Sequence, residues 1–307
     1  MQNIYEVAAE NRRKSFLVMA LFVAFITIAT YFIATGLSAY WGYDAGGLGV
    51  VGIAFIVSGL ASIGSYYFSD KIVLGISGAR PADRRRDFEF YTVTENLAIA
   101  AGLPKPRLYV IDDTALNAFA TGRNPDNAVV VATTGLLDQL DRTELEGVIG
   151  HELTHIKNYD TLLMSVVAIL IGTVALLADI FLRASFWSGG RRDRDRSGGI
   201  LIVVGLVFAI LSPIIGRLIQ LAISRRREYS ADAGAVVITR QPSGLISALR
   251  KIARDHEPLE AANKATAHLF IENPFKNKIG DARENFSSLF NTHPPIEKRL
   301  EALSKMA

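Results

Sequence analysis

Cysteine is absent altogether from the 307 residues. That excludes a disulfide framework, a thiolate metal site and a cysteine nucleophile, and it fits a reducing compartment. Charge is scarce as well: 21% of residues are Asp, Glu, Lys or Arg, against about 25% in soluble proteins. The shortage is uneven. Residues 15–43, 45–69, 161–178 and 197–216 carry no charged side chain. Half the residues are hydrophobic and the mean hydropathy is +0.25, which excludes disorder and a wholly soluble enzyme. No nucleic-acid recognition motif accompanies the sequence pI of ≈ 9.0. The basic residues instead flank the apolar segments, as Arg12–Lys14, Arg84–Arg86 and Arg225–Arg227. That is a topology and anionic-lipid signal. The lipid bilayer is the expected partner; nucleic acid and nucleotide are not.

The first apolar block, Phe16 to about Leu37, is too long for a signal-peptide core of roughly 7–15 residues, and a second block, Gly47 to Phe68, follows at once. The pair reads as an uncleaved hairpin. Its link, 38–44, has no Lys or Arg, so the positive-inside bias places the N-terminus and the chain after residue 69 in the cytoplasm. Gly52, Ser58, Gly59, Ser62 and Gly64 let helix backbones approach closely. Two further blocks, Thr161 to Leu182 and Ile200 to Ile223, enclose a loop at 185–199 that is rich in arginine. The resulting divisions are 1–69 (tail and two membrane helices), 70–160, 161–223 (third and fourth apolar helices) and 224–307.

Residues 70–160 read as a soluble half-domain. A helix is expected over Asp87–Leu103, closed by Gly102 and Pro104. Short β-type runs follow at Arg107–Ile111, Ala118–Thr121 and Ala128–Thr133, separated by turn signals. Thr143 with Glu146 makes a capping box, so a helix is expected to start near 144. The chain beyond Arg225 reads as mostly helical.

That second helix carries His151-Glu152-Leu153-Thr154-His155. Positions i and i+4 share a helix face, so both imidazoles can reach one metal ion. Glu152 is then placed at a metal-bound water rather than at the metal, as a general base. A catalytic zinc site takes a third protein ligand. Glu228 and Asp232 are also i and i+4; one can bind zinc while the other accepts a hydrogen bond from the far nitrogen of a zinc histidine. Spacing alone does not say which.

These two segments, with Leu116-Asn117-Ala118-Phe119-Ala120-Thr121-Gly122 upstream and Thr292-His293-Pro294-Pro295 near the end, resemble the HtpX family of bacterial membrane zinc metalloproteases. That family is related to the CAAX prenyl protease. The resemblance covers nearly the whole chain. It implies a mainly α, α+β, multi-pass membrane protein with a gluzincin-type protease domain of helices and a small β-sheet. It implies one zinc per chain on His151, His155 and Glu228, with Asp232 behind a ligand. Asn117, Ala118 and Phe119 then form an edge strand beside which an extended substrate adds. His293, held extended before Pro294, is placed either to donate to the oxyanion or to pack at the start of the last helix; Arg299 is a weaker candidate for that donor. The implied role is quality control of damaged membrane proteins at a bacterial inner membrane, with the catalytic domain in the cytoplasm. A prenyl-peptide-type processing protease and a non-proteolytic membrane zinc scaffold are the alternatives.

Overall fold

The computed structural model describes residues 4–41, 48–172, 225–260, 266–272, 274 and 294–306. Two long helices come first: α1, Ile4–Trp41, and α2, Leu48–Tyr67. They pack side by side, with the hydroxyls of Thr27 and Ser58 3.3 Å apart between them. A sharp bend at Phe68 leads into α3, Ser69–Ile76. Among the described residues no single helix is long and apolar enough to cross a membrane; Val51–Tyr67 and α3 pass that test together, as a pair bent by 79°. The first expected span is contained in the 38-residue α1, whose first turns include Glu6, Glu10 and Arg12–Lys14.

The sheet has four strands: β1, Arg80–Pro81; β2, Arg107–Ile111; β3, Ala118–Thr121; and β4, Val129–Thr133. Their order is β1-β2-β4-β3, with β2 and β4 parallel and both outer pairs antiparallel. The two-residue β1 is too short to leave a periodic signal in sequence. Side chains alternate across the sheet with period 2. Leu108, Val110, Ala118, Ala120, Val130 and Ala132 face one apolar cluster, while Ile111, Phe119, Val129 and Val131 face another. Burial on both faces explains the unbroken apolar run Val129–Ala132.

The first face packs under the helices of the protease core. These are α4, Phe88–Ala101; the short α5, Thr134–Gln139; α6, Arg142–Lys157; α8, Arg225–Thr239; α9, Pro242–Arg254; and α10, Ile296–Ser304. The helix between α6 and α8, α7, is described over Asp160–Gly172. Residues on either side of 173–224 share one core, which runs from Phe90 and Val93 through Ile149 and Leu153 to Leu249 and Leu303. The described part of the third apolar block is buried against α1, where Leu163, Val167 and Leu170 meet Val18, Met19 and Phe22. The rest of that block, the fourth block and the loop 185–199 lie outside the described residues.

α4 ends at Gly102, whose φ of 67° is the left-handed conformation that glycine accepts without a Cβ penalty. The start of α6 differs from the sequence expectation. The capping box is Asp141–Glu144, two residues before Thr143–Glu146: Asp141 Oδ1 accepts from the Glu144 amide at 2.9 Å, and Glu144 Oε2 accepts from the Asp141 amide at 2.9 Å. The physical reason lies in α9. Glu144 is buried and also accepts from Ser247 Oγ and Lys251 Nζ, each at 2.6 Å. Glu146 faces outward and pairs with Arg142.

Gly147 and Gly244 let α6 and α9 touch backbone to backbone. A Cβ on Gly147 would lie 2.5 Å from the Leu245 amide nitrogen, and one on Gly244 2.3 Å from the Thr143 carbonyl oxygen. Overpacking of this kind costs about 1–3 kcal/mol. Gly147→Ala is therefore expected to lower the thermal midpoint of the detergent-solubilised protein. An unchanged midpoint would show that the two helices can separate without cost.

Candidate metal centre and active site

α6 and α8 build the centre. α6 brings His151, Glu152 and His155; α8 brings Glu228 and Asp232 on one face, packed through Ala231 and Ala235. Gly234 permits this approach, since a Cβ there would lie 2.3 Å from Thr154 Cγ2. The Nε2 atoms of His151 and His155 are 3.1 Å apart. Glu228 faces both, with Oε2 3.7 Å from the first and Oε1 3.6 Å from the second. All three residues are buried, at most 4% exposed.

The outer ring nitrogens are held by carboxylates. His151 Nδ1 lies 2.9 Å from Asp232 Oδ1, and His155 Nδ1 lies 3.0 Å from Asp160 Oδ2. A carboxylate at Nδ1 favours the tautomer with the proton on that nitrogen, which leaves the Nε2 lone pair free. Two such lone pairs then face each other and a third anionic donor. That arrangement is repulsive unless a cation or a proton lies between them. Ligands about 2.0–2.1 Å from a tetrahedral zinc are about 3.3–3.4 Å from one another, and the three separations here bracket that spacing. His151, His155 and Glu228 could therefore hold a metal ion.

Asp232 is itself gripped. Arg299 donates from Nε to Oδ2 at 2.9 Å and from Nη2 to Oδ1 at 2.7 Å, a two-pronged contact. Burial opposes the charge on Asp232, yet Arg299 and His151 keep its carboxyl below the usual range. Arg299 is wholly buried, and its Nη1 also donates to the Ile271 carbonyl at 3.4 Å. The side chain thus joins Asp232, the Ile271 carbonyl and the edge of the donor set, with Nη2 3.4 Å from His151 Nδ1. Glu152 is buried; burial, its largest influence, raises its pKa above the ordinary carboxylate value, against the pull of the two histidines.

The sequence reading missed Asp160. It lies five residues after His155, off the helical face, so spacing gives no hint. Tyr159 adopts the left-handed backbone conformation with φ of 58°, and this turns the chain back so that Asp160 reaches the imidazole. Its other oxygen accepts from Asn11 Nδ2 of α1 at 2.7 Å, and Arg227 Nε lies 3.4 Å from it. Asn11 Nδ2 also donates to the Asn158 carbonyl at 2.9 Å, and the Arg12 guanidinium stacks over the Tyr159 ring. The first helix therefore reaches a metal-binding imidazole through one intervening carboxylate.

Ala118 and Phe119 begin β3, at the sheet edge, with Asn117 directly before them, and all three are buried. The Ala118 carbonyl accepts from the Ile271 amide at 3.0 Å, and Asn117 Nδ2 donates to the Glu272 carbonyl at 3.2 Å. The chain's own segment 270–272 thus occupies the beginning of this edge. The Phe119 ring points to the far face of the sheet, edge-on to Phe270 with ring centroids 5.0 Å apart. It is a core residue there. His293 lies outside the described residues, immediately before the described Pro294.

A buried pair of imidazoles one helical turn apart, a glutamate beside the first and a third donor from a neighbouring helix define a metallopeptidase-type centre. The family model "Peptidase family M48" matches residues 84–307, and the chain belongs to that family. It is a metallopeptidase, a hydrolase of peptide bonds. Its relatives include "Protease HtpX homolog" proteins. That of Caldanaerobacter subterraneus subsp. tengcongensis is 43% identical over 309 residues, covering 99% of this chain and 98% of the relative. That of Dictyoglomus turgidum is 42% identical over 302 residues, covering 98% and 94%. That of Pyrococcus furiosus is 47% identical over 275 residues, covering 89% and 92%. The crystal structure of S. mikatae Ste24p aligns at 18% identity with a TM-score of 0.48, over 94% of this chain and 65% of that one.

Two outcomes follow from the carboxylates behind the imidazoles. Burial opposes a charge on His155, but the Asp160 hydrogen bond and the Glu228 charge outweigh it and hold its pKa up to about 9. A metal ion requires the neutral ring, so binding releases that proton. Zinc affinity, measured by chelator competition, is expected to climb as pH rises through neutrality and to level off above about pH 9; a flat profile would contradict the assignment. Removing an outer carboxylate typically costs about 10–100-fold in metal affinity. Asp160→Ala should show that loss, with Asp160→Asn losing less because it keeps one acceptor oxygen.

Proposed function

We propose that this chain is a membrane-anchored zinc endopeptidase that cuts cytoplasmic segments of membrane proteins, damaged or misfolded ones among them. The observation that carries the reading is the convergence of three metal-binding donors on one buried point, with Glu152 beside the first on the same helix. His151, His155 and Glu228 would hold one zinc ion per chain, which would supply a Lewis acid to polarise a peptide carbonyl and acidify water.

The chain's own residues do the rest. Asp232 and Asp160 fix the tautomer and orientation of the two imidazoles. Arg299 answers the charge of Asp232 and sits 3.7 Å from Glu228 Oε2, balancing two buried carboxylates. Glu152 takes the proton of the attacking water and delivers it to the departing amine; the burial that raises its pKa favours the protonated half of that cycle. His293 donates to the oxyanion. An extended substrate adds along β3 at Asn117–Phe119, where its backbone takes the hydrogen-bonding place that Ile271 holds at Ala118, so segment 270–272 moves aside for it.

The anchor is the α1–α2 hairpin. Phe16, Leu17 and Leu21 on α1 and Ile53, Phe55, Ile56 and Leu60 on α2 are exposed apolar side chains, a surface suited to lipid. The basic flanks Arg12–Lys14 and Arg84–Arg86 support a cytoplasmic catalytic domain, and α7, which begins five residues after His155, supports a centre near the bilayer surface.

Glu152→Gln is expected to retain zinc and fold while losing turnover on a membrane-protein substrate by at least the 10²–10⁴-fold typical of a general acid–base group. Near-normal cleavage by that variant would remove Glu152 as the base.

A further inference from the structure

Where α2 ends, a cavity of about 470 Å³ opens between its last turn, α3 and the loop after β3. It contains three cations and one carboxylate: Lys71, Arg107, Arg123 and Asp70. Arg107 is answered by the buried Asp70, with which it forms a close ion pair. Lys71 and Arg123 have no carboxylate partner among the described residues. Each lies instead on an aromatic ring at the cavity rim, the Lys71 ammonium 5.4 Å from the Phe68 ring centre and the Arg123 guanidinium 5.2 Å from that of Tyr67. Arg123 Nη1 also donates to the Tyr67 carbonyl at 3.0 Å, which fixes it there. The site carries about two uncompensated positive charges.

An apolar stripe leads into it. Ile56, Leu60, Ile63 and Tyr67 follow i, i+4, i+7, i+11 spacing on α2, so they share one face, and each is more than half exposed. Ile63 and Tyr67 also line the cavity. A Cβ on Gly64 would meet nothing within 4 Å, so the floor between them is open. At 1.5 Å per residue the stripe runs about 16 Å, close to one leaflet of a hydrocarbon core about 30 Å thick. Half-exposed Tyr and Phe at its end suit the interface, where amphipathic rings collect.

We propose that this cavity binds the phosphate of an anionic glycerophospholipid, whose acyl chain lies along the α2 stripe. Charge selects the headgroup: a choline or ethanolamine cation would be brought against Lys71 and Arg123, whereas a glycerol headgroup or a phosphate monoester would not. The stripe and the aromatic rim select a lipid over free phosphate. Arg123 lies two residues beyond Thr121, the last residue of β3. A bound headgroup therefore ties the end of the substrate-facing strand to the bilayer surface. The inference rests on the membrane reading of the α1–α2 hairpin.

The test uses the full chain reconstituted into bilayers of phosphatidylcholine with and without phosphatidylglycerol. Retained lipid is counted by native mass spectrometry, and integral association is scored separately by alkaline extraction. The wild type is expected to retain phosphatidylglycerol over phosphatidylcholine and to keep it in excess inorganic phosphate. Lys71→Gln/Arg123→Gln should weaken that preference about twenty-five-fold, about fivefold for each cation near an anionic surface. The charge-matched control Arg250→Gln/Lys305→Gln, at two exposed positions of the catalytic domain, and the charge-conserving Lys71→Arg/Arg123→Lys should keep it. Equal retention of both lipids, a double Gln variant with wild-type preference, or displacement by inorganic phosphate would each overturn the headgroup site while leaving the anchor intact. Release of the wild type by alkaline extraction would instead overturn the anchor and the site with it.

Discussion

Two imidazole nitrogens 3.1 Å apart, each turned inward by a carboxylate on its other side, set the terms for the rest of this molecule. Left alone, the two rings would rotate apart or share a proton. They are held because Asp232 and Asp160 occupy their outer nitrogens, and these aspartates are in turn held by Arg299 and by Asn11 with Arg227. The buried charges come close to balance only when all the parts are in place. The close helix contacts at Gly147, Gly234 and Gly244 serve the same end, since a centre held to within tenths of an ångström needs a scaffold that cannot spread.

What was legible in the sequence follows from how far each signal reaches. His151, Glu152 and His155 lie within one helical turn and a bit, so periodicity exposed them; Glu228 and Asp232 repeat the spacing on a second helix. Arg107–Ile111 and Ala118–Thr121 were readable as strands because buried β-type runs between turn residues are compact signals. Asp160 was not, because its position depends on one left-handed residue, Tyr159, that no local preference announces. Nor was the bond from Asn11, which joins residues far apart in the chain. The capping box slipped by two residues for a related reason: both Asp141–Glu144 and Thr143–Glu146 satisfy the local rule, and only Ser247 and Lys251 on a distant helix decide between them.

The sheet edge shows how a structural demand and the proposed substrate path fall on one strand. An open edge attracts unwanted partners, so covering it protects the chain. Here residues 270–272 cover its beginning with two hydrogen bonds, few enough that an extended peptide with a longer run of backbone contacts can compete for the place. The ring of Phe270 stays wedged against Phe119 beneath the sheet, which gives the covering segment a hinge in the core.

Asn11 near one end of the chain and Arg299 near the other hold opposite sides of the same centre. The centre thus works as a clasp between segments that only the folded molecule brings together: remove either brace and the aspartate it holds, with the imidazole that aspartate orients, loses its support.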